Sequence, residues 1–185
     1  MPPIGTVTIA LDVEDSGWAT LQISTGACAY TIAGFGDCTD AFGDLARAAL
    51  AVVTGGREAR VRFDGEPNEW RLVLSRPQTF DGPDRLTLRV LEFRDIVEAL
   101  PDSEGVEAFS ADIQPDAFGH AVLAALQSLS TDIEAFHRRW RASEGFPTRA
   151  TAALAAALQV RATPRSVEPV ASTGGWLIVG DGEQP

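Results

Sequence analysis

The chain contains no lysine; all fifteen of its basic residues are arginine. That removes the ammonium group of a Walker-type phosphate loop, and with it Schiff-base and other lysine chemistry. Such residue usage, rich in Ala, Gly, Pro and Asp, resembles that of a GC-rich bacterial genome. Histidine and cysteine are scarce, at two each. His120 and His137 fall in one expected helix, where helical geometry separates them by about 100° around the axis and roughly 25 Å along it. They cannot share a metal or act as a pair. His120 is expected as a satisfied core residue, and His137 as a cation complementing a helix C-terminus. Cys28 and Cys38 match no zinc or redox spacing and read as two buried thiols of a reducing compartment. No Gly-x-Ser-x-Gly elbow occurs, and Gly34-Phe35-Gly36 is too short for a dinucleotide loop. No apolar run approaches the ~20 residues that span a membrane. The opening Met1-Pro2-Pro3-Ile4 lacks the basic-then-apolar pattern of a signal peptide. The expectation is a cytoplasmic protein without metal or cofactor.

What is abundant is negative charge, at a net −11. Residues 1–46 hold six acidic side chains (Asp12, Glu14, Asp15, Asp37, Asp40 and Asp44) and no basic one. Residues 95–116 hold seven more (Asp95, Glu98, Asp102, Glu104, Glu107, Asp112 and Asp116), again with no arginine. A field of that sign repels nucleic acid and anionic lipid and attracts cationic protein surfaces.

Alternation of apolar and polar residues over 6–13, 18–25 and 27–35 predicts three strands. Phe42, Leu45, Ala46, Ala49, Leu50 and Val53 then recur at helical steps. Thr39 or Asp37 is the expected cap, and Gly55-Gly56 the stop. Strands follow at 58–64, with Ala59, Val61 and Phe63 inward, and at 70–74, joined by Gly65-Glu66-Pro67-Asn68. After a turn at 81–84 comes a strand with Leu86, Leu88 and Val90 on one face, Leu91 and Phe93 on the other. A short strand at 106–111 precedes one long helix, 115–143, whose stripe runs Phe118, Val122, Ala125, Leu126, Leu129, Ile133, Phe136 and Trp140. An Ala-rich helix covers 150–160. The order excludes a Rossmann-type parallel sheet. It predicts an α+β fold: an antiparallel sheet of six to seven strands covered by two main helices and a short third. Residues 1–160 form the expected domain and 161–185 a Pro/Gly-rich tail.

Two polar features stand out. The hairpin strands at 58–71 carry Arg60, Arg62 and Arg71 on their outward face, where cross-strand ion pairing or an anion site are the two readings. Trp18 shares a strand face with Thr20, Gln22 and Ser24, as an interface anchor or as a ring packed under a helix.

The segments Asp-Leu-Ala-Arg-Ala-Ala-Leu at 44–50, Arg-Phe-Asp-Gly-Glu-Pro-Asn-Glu-Trp-Arg at 62–71, and His-Arg-Arg-Trp at 137–140 before Phe146-Pro147 carry a resemblance. Over residues 5–160 their order resembles bacterial α+β proteins encoded beside polymorphic toxins. The resemblance implies an immunity protein that binds and silences a toxin domain; it supplies no site residues. The expected partner is a protein with a basic surface. The candidate contacts, taken from the charge pattern, are Asp12, Glu14, Asp15, Trp18, Glu98, Asp102, Glu104 and Glu107. The alternatives are a small-molecule binder or enzyme with Arg60, Arg62 and Arg71 in its pocket, and an assembly module in which residues 176–179 add to a neighbour's sheet.

Overall fold

The first alternating segments build an antiparallel meander of β1 (Val7–Val13), β2 (Trp18–Thr25) and β3 (Cys28–Gly36). The structure is a computed structural model and describes residues 6–26, 28–77, 84–95, 100–141 and 144–162. In the β1–β2 turn Ser16 and Gly17 both take positive φ, 73° and 84°, a conformation glycine adopts without steric cost. A second meander contains β4 (Glu58–Gly65), β5 (Asn68–Ser75), β6 (Leu86–Phe93) and β7 (Val106–Ile113). The expected class and strand number hold: an α+β fold with seven antiparallel strands among the described residues. The strands divide into two hydrogen-bonded sheets, of three and four strands. Of the expected turn at 81–84, only Asp84 lies within the described residues.

The division follows from the path of β3. It does not lie beside β4 but passes across the ends of the second sheet. Gly36 approaches the Asp64 carbonyl, and the Gly34 carbonyl approaches Gly65, at the end of β4. Further back along β3, the Tyr30 ring lies 6.3 Å from that of Phe109 on β7. Its hydroxyl donates to Glu92 on β6. One core therefore serves both sheets: Leu21, Ile23, Ile32 and Phe35 from the first join Val61, Phe63, Leu72, Leu74, Leu88 and Val90 from the second.

Among the described residues, four helices close this core. α1 (Ala41–Val53) packs on β4, α2 (Pro115–Ser130) on β1, and α4 (Thr148–Ala162) on both α1 and α2; α3 (Ile133–Arg139) is short. The cap of α1 is Asp40, whose carboxylate accepts from the Gly43 amide at 3.2 Å. Neither expected residue caps the helix, since Thr39 donates instead to the Arg62 carbonyl and Asp37 lies against Gly17. The expected helix at 115–143 is two helices. Ser130 and Thr131 turn their hydroxyls back onto the carbonyls of Gln127 and Ser128. Asp132 then caps α3 through the Ala135 amide, 2.8 Å away. A Ser-Thr-Asp run competes with the helix backbone in this way. Beyond the break Ile133 is exposed, while Phe136 and Trp140 turn back into the core.

Three burial expectations are corrected. Cys28 and Cys38 are both exposed, because they flank β3 at its two ends, where the chain leaves the core. His120 is exposed, on the face of α2 away from Phe118 and Val122. His137 is in the last turn of α3 with Arg138 and Arg139, as expected. Among the described residues no helix is long and apolar enough to cross a membrane. Residues 163–185, most of the expected tail, lie outside the described residues.

Tyr30 is the single tyrosine, so the junction of the sheets has its own optical probe. Burial first, and the hydrogen bond to Glu92 second, push its phenol from 10.0 up to about 12. The raised value means the folded chain holds the proton longer than the unfolded one. Stability present below pH 10 is therefore lost as pH rises through the window from 10 to about 12. A phenolate absorbance titration should give a midpoint near 12 in the native protein. Glu92→Gln should lower it only part of the way, because burial remains. A native midpoint near 10 would mean that β3 does not bury this ring.

Candidate functional site

Three connections meet at one end of the molecule: the β1–β2 turn, the β3–α1 segment and the β4–β5 turn. Gly17 lies against the Asp37 carboxylate; a Cβ there would sit 2.8 Å from Oδ2. The Cys38 thiol donates to Glu66 Oε1 across 3.6 Å. The carboxylates around the Cys38 thiol are Glu66, Asp37 and Asp64, and the adjoining β1–β2 turn carries Glu14 and Asp15. Asp15 is 93% exposed and pairs with the Arg139 guanidinium 3.6 Å away. Glu14 accepts from Thr20 at 3.0 Å and also faces solvent. Arg139 ties the end of α3 to the same turn, since its carbonyl accepts from the Gly17 amide at 2.8 Å. Burial first, then Glu66, Asp37 and Asp64, push the Cys38 thiol up. A thiol so held is a poor nucleophile. Asp12 is exposed on β1. Trp18 is half-buried, its ring over Gly36 at the sheet junction.

The second acidic segment is deployed differently. Asp102 lies in a single 3₁₀ turn (Asp102–Glu104) that crosses the outer face of the second sheet. There it joins the hairpin arginines. In the register set by the Gly65↔Asn68 turn, Arg62 stands directly opposite Arg71. Like charges so placed repel, and Glu69 lies between them, 1% exposed. Its Oε2 is 2.8 Å from Arg62 Nε, and its Oε1 accepts from Arg71 Nε. Asp64 adds a second carboxylate to Arg62 at 2.7 Å. Asp102 bridges Arg60 at 2.7 Å and Arg71 at 3.1 Å. Arg71 also donates to the Leu100 carbonyl at 2.6 Å and stacks 4.0 Å above the Phe93 ring. Burial raises the Asp102 carboxyl, but the hydrogen bonds from Arg60 and Arg71 outweigh it and hold it below the usual range. Leu100 covers Val73, Leu91 and Phe93, the apolar part of this outer face.

The structure thus brings Arg60, Arg62 and Arg71 together around a shallow depression of about 370 Å³, with Asp44, Val61 and Asp102 also in its wall. Each arginine already faces a carboxylate, so a bound anion would compete with Glu69, Asp64 and Asp102. Among the candidate partner contacts, Asp12, Glu14, Asp15 and Trp18 belong to one hairpin. Glu104 is exposed in the 3₁₀ turn and Glu107 on β7, 3.7 Å from Arg89. Glu98 lies outside the described residues. Asp37 and Glu66 were missed because their proximity depends on β3 crossing the end of β4. Glu69 was legible in principle, since a two-residue turn after Gly65 forces Arg62 opposite Arg71 and calls for a carboxylate between them.

No family model, no curated protein and no solved structure matches this chain.

Proposed function

We propose that this chain is a protein-binding module of the immunity type, which silences a toxin domain by docking its acidic end on that domain's basic surface. The observation that carries this reading is that Asp37 and Glu66 meet at Cys38 beside Gly17 of the β1–β2 turn, whose Glu14 and Asp15 are exposed. Carboxylates presented from loops on a rigid two-sheet frame lose little freedom on binding. Their shared sign steers a cationic partner into place and sets its orientation. The arginine–carboxylate network supports the reading indirectly, because its charges are spent on one another.

The test uses the native chain and a triple variant, Glu14→Arg, Asp15→Arg and Glu66→Arg, as baits in extract of the native host. All three side chains are exposed, so the fold should survive. The expected result is one basic protein held stoichiometrically by the native chain. It should be released as salt screens the contact, and bound at least about 100-fold more weakly by the variant. Equal binding by both baits would overturn the reading, as would the lack of any stoichiometric partner. In the second case a metabolite screen on the Arg60, Arg62 and Arg71 depression comes next.

A further inference from the structure

The end of α3 lies against the acidic β1–β2 turn and carries the opposite charge. The Gly17 amide donates to the Arg139 carbonyl at 2.8 Å. The Arg139 guanidinium donates to the Val13 carbonyl at 3.4 Å and reaches Asp15 at 3.6 Å. Residues 137–141 read His-Arg-Arg-Trp-Arg, with no carboxylate among them. Phe136 and Trp140 are buried, while Arg138, Arg139 and Arg141 are exposed. A helix C-terminus favours cations, which accounts for arginine in the last turn of α3. It does not account for Arg141, beyond the end of that helix.

Two poles therefore stand side by side: Glu14 and Asp15 on the turn, and three arginines on α3 and just past it. The ion pair that joins them is weak. Asp15 and Arg139 are both exposed, and a 3.6 Å contact between exposed charges contributes little. Either group can exchange it for a closer partner.

An ordinary protein interface covers about 800 Å² on each side, a patch roughly 30 Å across. The backbone from Arg138 to Arg141 spans at most about 11 Å, and Arg139 touches the turn. A partner centred on Glu14 and Asp15 therefore covers the arginines too. A uniformly basic partner would press like charges together there and lose affinity.

We propose that this docking surface is two-signed: the partner domain sets carboxylates beside its basic surface, and they pair with Arg138, Arg139 and Arg141. The inference rests on the proposed docking of the acidic end and specifies the chemistry of the partner. The arginines fix its orientation, because a partner turned round would set acid on acid and base on base.

The test reads a sign. If the arginines only dilute the acidic end, replacing them tightens a basic partner; if they meet carboxylates, replacing them weakens it. Arg138→Glu with Arg141→Glu spares Arg139 and its contacts to the turn, and both side chains are exposed. Arg138→Gln with Arg141→Gln keeps the comparison if the reversal disturbs the fold. The probe is the basic protein captured by the native chain, purified and titrated against the native chain and both variants. Binding should be at least about tenfold weaker for the glutamate pair, and weaker by a smaller factor for the glutamine pair. Equal or tighter binding by either variant, while the Glu14, Asp15 and Glu66 variant still loses the protein, overturns this inference and leaves the acidic-end reading standing. If the native chain captures no basic protein, or that triple variant holds it equally well, the acidic-end reading falls and this inference with it.

Discussion

Replacing Phe35 by alanine is expected to destabilise the protein by about 4 kcal/mol. In a chain this size that lowers the thermal midpoint by roughly 8–16 °C. Phe35 is fully buried on β3. Its ring meets Phe63 of β4 at 4.9 Å, Phe42 of α1 at 5.8 Å and Trp140 beyond α3 at 6.0 Å, all edge-on. The cluster continues from Phe42 to Phe136 and from Phe136 to Phe146. One side chain thus joins the first sheet, the second sheet and two helical segments. No single neighbour can fill the space it would leave, because each is held by its own element. Phe35→Leu keeps most of the volume and should lose no more than about 1.5 kcal/mol. Urea unfolding of the three proteins makes the comparison. A loss under about 1 kcal/mol for Phe35→Ala would show that the two sheets do not share a core here.

Glu69→Ala is expected to cost about 3 kcal/mol, although the residue touches no apolar core cluster. The change removes the carboxylate shared by Arg62 and Arg71 and leaves those like charges facing each other across the hairpin. Arg71 is 15% exposed and cannot turn to water without leaving Phe93 and Leu100. Asp64 and Asp102 keep partial compensation, which holds the loss at the lower end for a broken buried pair. Glu69→Gln retains an acceptor and the volume and should cost about half as much. Replacing both partners, Glu69→Leu with Arg71→Met, should recover much of the loss, because no buried charge is then orphaned. Urea unfolding again decides, and a double variant no better than Glu69→Ala would mean that the network acts through something other than charge compensation. The direction with pH follows from Asp102. Its carboxyl is held low by Arg60 and Arg71 in the folded chain. Its contribution is therefore present above the ordinary carboxylate range and lost as pH falls through the folded value.

Most of the secondary structure was legible because period-2 and period-3.6 patterns are local. Val7, Ile9 and Val13 alternate along β1 and are buried as the pattern requires; Val61, Phe63, Leu72 and Leu74 do the same in the hairpin. The misreadings also have local causes. The apolar stripe carried straight through Ser130, Thr131 and Asp132, and a stripe does not reveal which hydroxyl will claim a carbonyl. Thr39 and Asp37 were as suitable by type as Asp40 to cap α1, and the choice fell to whichever carboxylate reached the Gly43 amide.

The candidate site was less legible than the fold. Acid-only segments can be read from sequence, but not which carboxylates end as neighbours. Asp37 and Glu66 are far apart in the chain and meet at Cys38 because β3 crosses the end of β4 there. Asp102, read as a partner contact, bridges Arg60 and Arg71, a role that depends on where its 3₁₀ turn packs.

The sequence by itself determined the sign and placement of charge and the six to seven strands with their inward faces. Each depends on side-chain type and on spacing within one element. Only the tertiary structure decided that the strands form two sheets, that one aromatic cluster joins them, which carboxylates neutralise the arginines and which are left facing solvent. Those outcomes depend on how separate elements pack, and packing is set by the fit of surfaces distant in the chain.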